Sequence, residues 1–390
     1  DTYGHHPSFV MMAAGNEPAG DWVNYCNDWV RQMHDYDPTK VYCGASVGGG
    51  WAWDDGSEFH VKGGARGLDW NKRKPQSNDD FNTMIDFPRN YRSTEPNRSP
   101  IVAHELGQWC AFPDFSEISQ YTGVYKAKNF EIFQDLLASN GMAAQAQKFL
   151  WSSGQLQKLC YKYDIERNLR TRDYAGFQLL GLNDYSGQGT ALVGVLNVHW
   201  REKGYTNADD WREFCSPVVP LAKFSKFVFS ANETLSVSLD VYNALCDTQA
   251  CITYSIINNN DGTTMANGTL ANLALPLGKH SDVGNIQCDL SCITLPSKMT
   301  LCIKINGQWK NHWDFWVYPE IKEKELDTNA IHITDTLDSK ALNVLENGGK
   351  VLVTAAGKVT FGNDIKQHYL PVFWNTSWFK MRPPHTTGAY

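Results

Sequence analysis

Residues 8–17 read SFVMMAAGNE, an apolar run that ends in Gly15-Asn16-Glu17. A short apolar run closed by turn residues is typical of a strand buried in a parallel sheet. Behind it, apolar residues recur at three- and four-residue spacing from Trp22 to Met33, which predicts an amphipathic helix with Asp21 as its N-cap. A strand followed at once by a helix is the repeating unit of α/β proteins, so this stretch predicts a parallel sheet.

The same alternation extends over residues 1–225. We interpret this part as one α/β domain with parallel strands. The pattern predicts further strands at 41–46, 84–87, 100–105 and 177–183, helices at 142–168 and 209–224, and a long loop at 47–77.

The pattern then changes twice. Residues 226–319 hold alternating apolar runs separated by turn signals such as Asn260-Asp261-Gly262, which predicts an immunoglobulin-like β-sandwich. Residues 320–390 place a helix at about 339–345 before an apolar run, as in an incomplete open α/β domain. Gly348-Gly349 precedes that run instead of following it, so we interpret it as a helix C-cap and not as a nucleotide-binding loop.

Composition and charge argue against several classes of partner. The formal net charge is −7 and no run of Lys or Arg is longer than the three residues 72–74, so we expect no nucleic-acid partner. No run of about 18 apolar residues is present, so we expect no membrane insertion. The ten cysteines lack paired metal-ligand spacing, and we expect neither a metal nor another cofactor. Those from Cys246 to Cys302 are compatible with one or two disulfides or with buried thiols.

Two carboxylates stand where predicted strands end. Glu17 closes the first run, and Glu105 closes the run Ile101-Val102-Ala103-His104-Glu105. In parallel α/β barrels the catalytic groups lie at the carboxyl ends of strands, where the loops converge on a pocket. Two facing carboxylates there can cleave a glycosidic bond, one as acid and the other as nucleophile. A single carboxylate at a strand end is more often a cap or an ion-pair partner, so the pair carries the prediction.

Aromatic side chains near these ends are candidate sugar platforms. The chain has 14 tryptophans, which suit large cores as well as stacking on flat apolar faces of sugar rings. Trp51 and Trp53 lie in a glycine-rich loop after a predicted strand, and Trp109 follows Glu105 closely. His104 is a further candidate for substrate contact, although strand alternation points it away from Glu105.

The motif His6-Pro7-Ser8, followed by Gly15-Asn16-Glu17, resembles the acid/base segment of glycoside hydrolase family 2. Residues 102–108, with Glu105 at their centre, resemble its nucleophile strand, and residues 187–194 resemble a β-galactosidase-like branch of that family. The resemblance covers about residues 3–225 strongly and the remainder moderately. Its paired motifs are specific for the clan of retaining β-glycosidases with (β/α)8 barrels, but not for one sugar.

The resemblance implies a retaining exo-β-glycosidase that hydrolyses terminal β-linked sugars and needs no cofactor. Glu17 would be the acid/base, Glu105 the nucleophile, and Asn16 a ligand of the sugar 2-hydroxyl. The family usually has a tryptophan-rich strand end after the nucleophile, whereas this chain has Asn183 and Asp184, which we expect to bind hydroxyls instead. The family also implies a bacterial periplasmic or secreted location.

The resemblance further implies that the strand ending at Glu17 is the fourth of the barrel, so the chain holds a C-terminal half. We therefore expect an open sheet with exposed apolar edges, and a poor enzyme when the chain is alone. The alternative function is a non-catalytic carbohydrate-binding fragment, which would need the aromatic platform but not both carboxylates. An acyl hydrolase is disfavoured because no Gly-X-Ser-X-Gly motif is present.

Overall fold

The computed structural model describes residues 2–48, 51–63, 99–172, 174–185, 187, 189, 191–320 and 330–358. These residues form a mixed α/β structure with several sheets and few helices. The helices are α1 (Trp22–Tyr36), α2 (Lys128–Ser139), α3 (Ala146–Arg170), α4 (Ala208–Arg212) and α5 (Ser339–Glu346). The strands are β1 (Met11–Asn16), β2 (Val41–Val47), β3 (His60–Lys62), β4 (Ile101–Leu106), β5 (Tyr174–Leu179), β6 (Val218–Lys223), β7 (Val228–Ser230), β8 (Thr234–Asn243), β9 (Thr248–Asn258), β10 (Thr264–Leu275), β11 (Gly278–Asp289), β12 (Ser297–Ile305), β13 (Trp309–Tyr318), β14 (His332–Thr334) and β15 (Val351–Val353).

Strands β1 to β5 form one parallel sheet whose spatial order follows the chain. The predicted first, second and fourth of these strands are confirmed. The third is β3, inside the segment predicted as a loop, because three residues with polar ends carry too little apolar pattern to be recognised. The strand predicted at 84–87 lies outside the described residues. The last strand, predicted at 177–183, is shifted to Tyr174–Leu179, because the chain leaves the sheet before Asn183.

One face of this sheet is packed against α3. Ile101 and Ala103 of β4 share an apolar cluster with Tyr161 and Ile165 of α3. In the described part of the chain, β1 is an edge strand of this sheet. Val10, which directly precedes β1, is 52% exposed, and Met11 and Met12 at the start of β1 are 43% and 36% exposed. As far as the described residues show, the sheet is therefore open, with apolar side chains exposed along β1.

The helix predicted over 209–224 is wrong. A cap by Asn207, whose side chain accepts from the N–H groups of Asp209 and Asp210, starts only the five-residue α4. Pro217 then precedes β6, which contains Pro220 and pairs with β8. Proline lacks the N–H that a helix interior needs, and it is tolerated here because β6 is an edge strand. Helix α3 is confirmed, while α2 escaped the sequence-based prediction.

Strands β6 to β13 form two sheets around one core. One sheet has the order β10-β9-β12-β13-β7 and the other has β11-β8-β6. Alternate residues from both sheets, such as Val237 and Leu239 from β8 and Leu301 and Ile303 from β12, meet in that core. Because Val218–Lys223 is paired within this unit, the two-sheet unit takes in residues before 226, the boundary expected from sequence.

The remaining described residues form a small βαβ unit. Strands β14 and β15 are parallel, and α5 connects them. The Asp338 carboxylate caps α5 by accepting from Ala341 N–H at 2.8 Å. Gly348 has a φ of 75° and donates its N–H to Leu345, so the predicted glycine C-cap is confirmed.

Three further features bear on the sequence-based expectations. The ten cysteines form no disulfide with one another, and Cys26, Cys43, Cys110 and Cys160 are buried. Among the described helices, none combines the length and apolar character that crossing a bilayer requires. Asp21 lies at the N-cap position of α1, but its carboxylate accepts from the Asn24 side chain and not from a backbone N–H.

Candidate functional site

The carboxyl ends of β1 to β5 lie along one edge of the parallel sheet. Register aligns Asn16 of β1 with Ser46 of β2, Val47 with Lys62 of β3, and Lys62 with Ala103 of β4. Glu17 follows β1 directly, and Glu105 is the penultimate residue of β4. Both predicted catalytic carboxylates therefore belong to the same edge, where the loops after the strands begin.

The backbone is left-handed at both carboxylates. The φ angle is 50° at Glu17 and 51° at Glu105, and only six non-glycine residues in the described part of the chain have positive φ. Such a conformation is uncommon for a residue with a side chain, and it costs on the order of 1–3 kcal/mol. At Glu17 it is held because the N–H still donates to the Ser46 carbonyl at 2.9 Å, one residue beyond β1. Strain of this kind clusters at functional sites, so the coincidence supports a functional role for both residues.

Two buried side chains, one from β4 and one from the segment after it, hold Glu105 in place. The Gln108 amide donates to Glu105 Oε2 at 3.1 Å, and His104 Nε2 lies 3.6 Å from Glu105 Oε1. Gln108 and His104 are both buried, whereas the Glu105 side chain is 19% exposed. Glu105 is thus a partly accessible carboxylate that is held by buried neighbours, which is the arrangement that a nucleophile requires. His104 lies where it orients Glu105, and its burial does not fit the direct substrate contact predicted for it.

The turn after Glu105 depends on glycine. Gly107 has a φ of 93°, and a Cβ atom there would lie 2.1 Å from Cε1 of Tyr161. Tyr161, on α3, is itself fixed because its hydroxyl donates to the Val193 carbonyl at 2.6 Å. The amide of Gln157, one turn earlier on α3, donates to the Trp109 carbonyl at 2.7 Å. Helix α3 therefore sets the position of the whole segment that carries Glu105.

Glu17 has a different environment. Both Asn16 and Glu17 are exposed on the edge strand β1. Three strand-to-strand steps separate β1 from β4, which corresponds to about 14 Å along a flat sheet. The two carboxyl groups can reach the separation of about 5–5.5 Å that retention needs only where the sheet curves strongly.

A buried lysine lies between the two carboxylates. Lys62, the last residue of β3, is 2% exposed, and its Nζ donates to the Ala52 carbonyl at 2.9 Å. The same Nζ lies 4.7 Å from the ring centre of Trp53, in cation–π geometry. Trp53 also meets His60 edge to face at 4.9 Å. The sequence-based prediction named Trp53 but missed Lys62 and His60, because the three residues of β3 carry too little apolar pattern to be recognised.

The other predicted aromatic platforms have different outcomes. Trp51 is half-buried and meets Trp22 of α1 edge to face at 6.3 Å, beside the loop after β2. Trp53 is half-buried beside Lys62, so both tryptophans stay candidates for substrate contact. Trp109 is 3% exposed and its indole N–H donates to Asp164 at 2.9 Å. Its ring is part of the core, and the platform predicted there is wrong.

Asp184 also differs from its predicted role. It is buried, forms an ion pair with Lys203 at 2.7 Å, and accepts from the Gly194 N–H at 2.9 Å. Burial raises the pKa of Asp184, and the charge of Lys203 opposes this shift. A carboxylate paired in this way holds the loop and does not reach a sugar hydroxyl. Asn183 is half-buried, and its side-chain amide donates to the backbone carbonyl of Asp184 at 3.1 Å.

The ion pair adjoins a second buried acid that the sequence did not reveal. Glu117, in a short 3-10 helix after β4, is 1% exposed, and within the described residues neither of its carboxylate oxygens has a hydrogen-bond partner. Burial raises the pKa of Glu117 to about 8, and the charge of Asp184 adds to this effect. The loop after Glu105 therefore contains a carboxyl group that changes charge near neutral pH.

Family models match two C-terminal segments. Residues 233–319 match a model described as Domain of unknown function (DUF8488), and residues 332–390 match one described as Domain of unknown function (DUF8487). Among curated protein sequences, none matches the chain.

Several solved structures show limited similarity to this chain. The exo-chitosanase CsxA from Amycolatopsis orientalis is 13% identical, with a TM-score of 0.43. The match covers 81% of this chain and 37% of the chitosanase chain. The alkylpurine DNA glycosylase AlkC from Pseudomonas fluorescens is 11% identical, with a TM-score of 0.23 over 52% of this chain and 50% of its own. The sporulation control protein Spo0M from Bacillus subtilis is 11% identical, with a TM-score of 0.21 over 27% of this chain and 51% of its own. The chain thus spans about half or less of each of these proteins.

Proposed function

We propose that the chain carries the two catalytic carboxylates of a retaining exo-β-glycosidase that acts on terminal β-linked sugars, with a β-galactoside as the first substrate to test. One observation carries the proposal. Glu17 and Glu105 close two strands of the same parallel sheet, at the same edge, and both hold a left-handed backbone. The motifs around them are those that resemble glycoside hydrolase family 2, which supports the same pair independently of the geometry.

The mechanism has two steps. Glu105 attacks the anomeric carbon and forms a glycosyl ester, while Glu17 gives its proton to the departing glycosidic oxygen. Glu17 then takes a proton from water, the water oxygen attacks the anomeric carbon, and the Glu105 carboxylate is released. Asn16 lies beside Glu17 at the strand end, where its amide is suited to bind a hydroxyl of the sugar. No cofactor takes part in these steps.

The proposal extends to the architecture. Five parallel strands in chain order are what the fourth to eighth strands of a (β/α)8 barrel would form, and the two-sheet unit would be an immunoglobulin-like sandwich. The exposed apolar side chains of β1 support a sheet that is completed by further strands.

The proposal is tested by trapping the intermediate. A 2-deoxy-2-fluoro-β-galactoside with a dinitrophenyl leaving group should label the chain once, and peptide mass spectrometry should place the label on Glu105. Glu105→Gln should abolish labelling, and Glu17→Ala should reduce hydrolysis of alkyl glycosides far more than that of aryl glycosides. Glu131→Gln, a change on the surface of α2, is the matched control and should label normally. A label on any other residue would exclude Glu105 as the nucleophile.

A second candidate is a carbohydrate-binding chain without catalysis. The observation that favours it is the exposure of Asn16 and Glu17 at an edge strand, since a carboxyl that acts as an acid near neutral pH usually holds its proton because it is buried. Saccharide binding by calorimetry, with neither labelling nor hydrolysis across galactosides, glucosides and glucosaminides, would support this candidate over the first.

A further inference from the structure

A cavity of about 490 Å³ lies between α3 and the outer face of strands β12 and β13, on the side of α3 that faces away from Glu105. On α3, Tyr161 packs against the Glu105 segment, whereas Trp151, Lys158 and Lys162 line this cavity. The volume is in the range of small-ligand sites and corresponds to about two sugar rings. The cavity is therefore separate from the edge that carries the two carboxylates.

Exposed aromatic rings line the cavity. Trp151 is 59% exposed and Trp316 is 39% exposed, although both are large apolar side chains. Trp316 points outward because its neighbours Phe315 and Val317 occupy the core, which leaves alternate residues of β13 on the outer face. Exposed rings at a cavity provide flat apolar surface at low entropic cost, and they suit the apolar faces of pyranose rings.

The lining of the cavity has no excess of cations, because three lysines face four carboxylates. Lys158 lies 3.4 Å from Asp210, and Lys298 lies 2.7 Å from Asp314. Lys162 pairs with Glu166 at 2.5 Å, and the fourth carboxylate, Glu213, pairs with His312 at 2.5 Å. A cavity built for a phosphate or carboxylate ligand would hold an excess of cations, whereas this lining offers both donors and acceptors. A neutral ligand with many hydroxyl groups fits this set.

We propose that this cavity is a second carbohydrate site, which binds a neutral oligosaccharide through stacking on Trp151 and Trp316 and hydrogen bonds to the paired charges. The choice of a saccharide among neutral polyhydroxyl ligands rests on the proposed function. The site itself rests on the cavity and goes beyond that function, because it binds without hydrolysing. It would hold part of an oligosaccharide or polysaccharide away from the catalytic edge.

The experiment measures binding of β-1,4-galactotetraose and cellotetraose by calorimetry, in the Glu105→Gln background so that no ligand is consumed. Trp151→Ala and Trp316→Ala should each raise the Kd about tenfold, and the double variant should show no measurable binding. Trp200→Ala is the matched control, because Trp200 is exposed but does not line the cavity. Circular dichroism verifies that the variants are folded. Tetragalacturonate, which carries carboxylates, should bind more weakly than either neutral ligand.

Failure of this site and failure of the proposed function are distinguishable. Binding that depends on Trp151 and Trp316, in a chain that is not labelled at Glu105, would keep the site and refute the catalytic role. Labelling at Glu105 without such dependence would refute the site alone. Absence of binding by both neutral ligands, or preference for tetragalacturonate, would also overturn the proposal.

Discussion

At the scale of single residues, Gly107 is the position where the Glu105 segment tolerates least change. Gly107→Ala places a Cβ atom against the Tyr161 ring and forces a side chain into the left-handed region, so it should lower the free energy of unfolding by about 3 kcal/mol. Denaturant unfolding measures this loss. Gly176→Ala on β5 is the control, since nothing lies within 4 Å of its Cβ position. Equal stability of the two variants would contradict the role of the close packing.

The ionisation of Glu117 should make stability depend on pH. Its pKa rises from 4.5 to about 8 in the folded chain, so the folded state binds the proton more tightly than the unfolded state does. The contribution of Glu117 to the free energy of unfolding should therefore be largest below about pH 4.5. It should fall by a few kcal/mol as the pH rises to about 8.

Glu117→Gln tests this dependence because the amide is neutral at every pH. The variant should be more stable than the parent at pH 8.5, and its stability should fall less between pH 5 and 8.5, as followed by thermal unfolding. Glu202→Gln, at an exposed position, is the control and should keep the parent's slope. A parental slope in Glu117→Gln would assign the pH dependence to other groups.

At the scale of elements, the edge strand β1 should govern self-association. Its unpaired backbone edge and exposed Val10, Met11 and Met12 provide a template for pairing with another chain. Met12→Lys should shift sedimentation profiles at micromolar concentration toward monomer, because a charge on an edge strand opposes pairing. Leu136→Lys, on the exposed surface of α2, is the control. An identical shift with both variants would exclude a specific role of β1.

The elements differ in how far the sequence predicts them. The strand-end positions of Glu17 and Glu105 were predictable because each closes an apolar run, and the edge they share follows from parallel pairing alone. Strand β3 was not, because its burial comes from neighbours on both sides and not from its own three residues. Trp109 and Trp53 look alike in sequence, and only tertiary packing decides that one ring is buried in the core while the other packs against that core and stays half-buried. Burial of Asp184 likewise depends on Lys203, which is distant in sequence.

At the scale of the whole molecule, α3 joins the parallel sheet to the two-sheet unit. Glu166 on α3 accepts from Asn311 Nδ2 at 2.8 Å and from Trp313 Nε1 at 3.0 Å, both on β13. Lys279 of β11 donates to the Tyr174 carbonyl of β5 at 2.7 Å. These buried contacts make one cooperative body of two units that would otherwise meet through a smaller surface.

Loss of the Glu166 carboxylate should therefore uncouple the two units. Glu166→Ala removes an acceptor from Lys162, Asn311 and Trp313 and takes the partner from the buried Lys162 charge, at a cost of about 3–5 kcal/mol. Calorimetry should show one unfolding transition for the parent and two for this variant. Glu131→Gln, which removes only a surface ion pair, should retain a single transition. A single transition at the parent's temperature in Glu166→Ala would rule out this coupling.

The left-handed backbone at Glu17 and Glu105 implies that the variant of this chain with the highest melting temperature lacks one or both of these carboxylates. Glycine at either position relaxes the backbone and removes the carboxylate in the same step. A directed-evolution campaign that scored thermal tolerance alone would therefore enrich chains that lack these carboxylates. Any such library needs a second readout that reports on the carboxylates themselves.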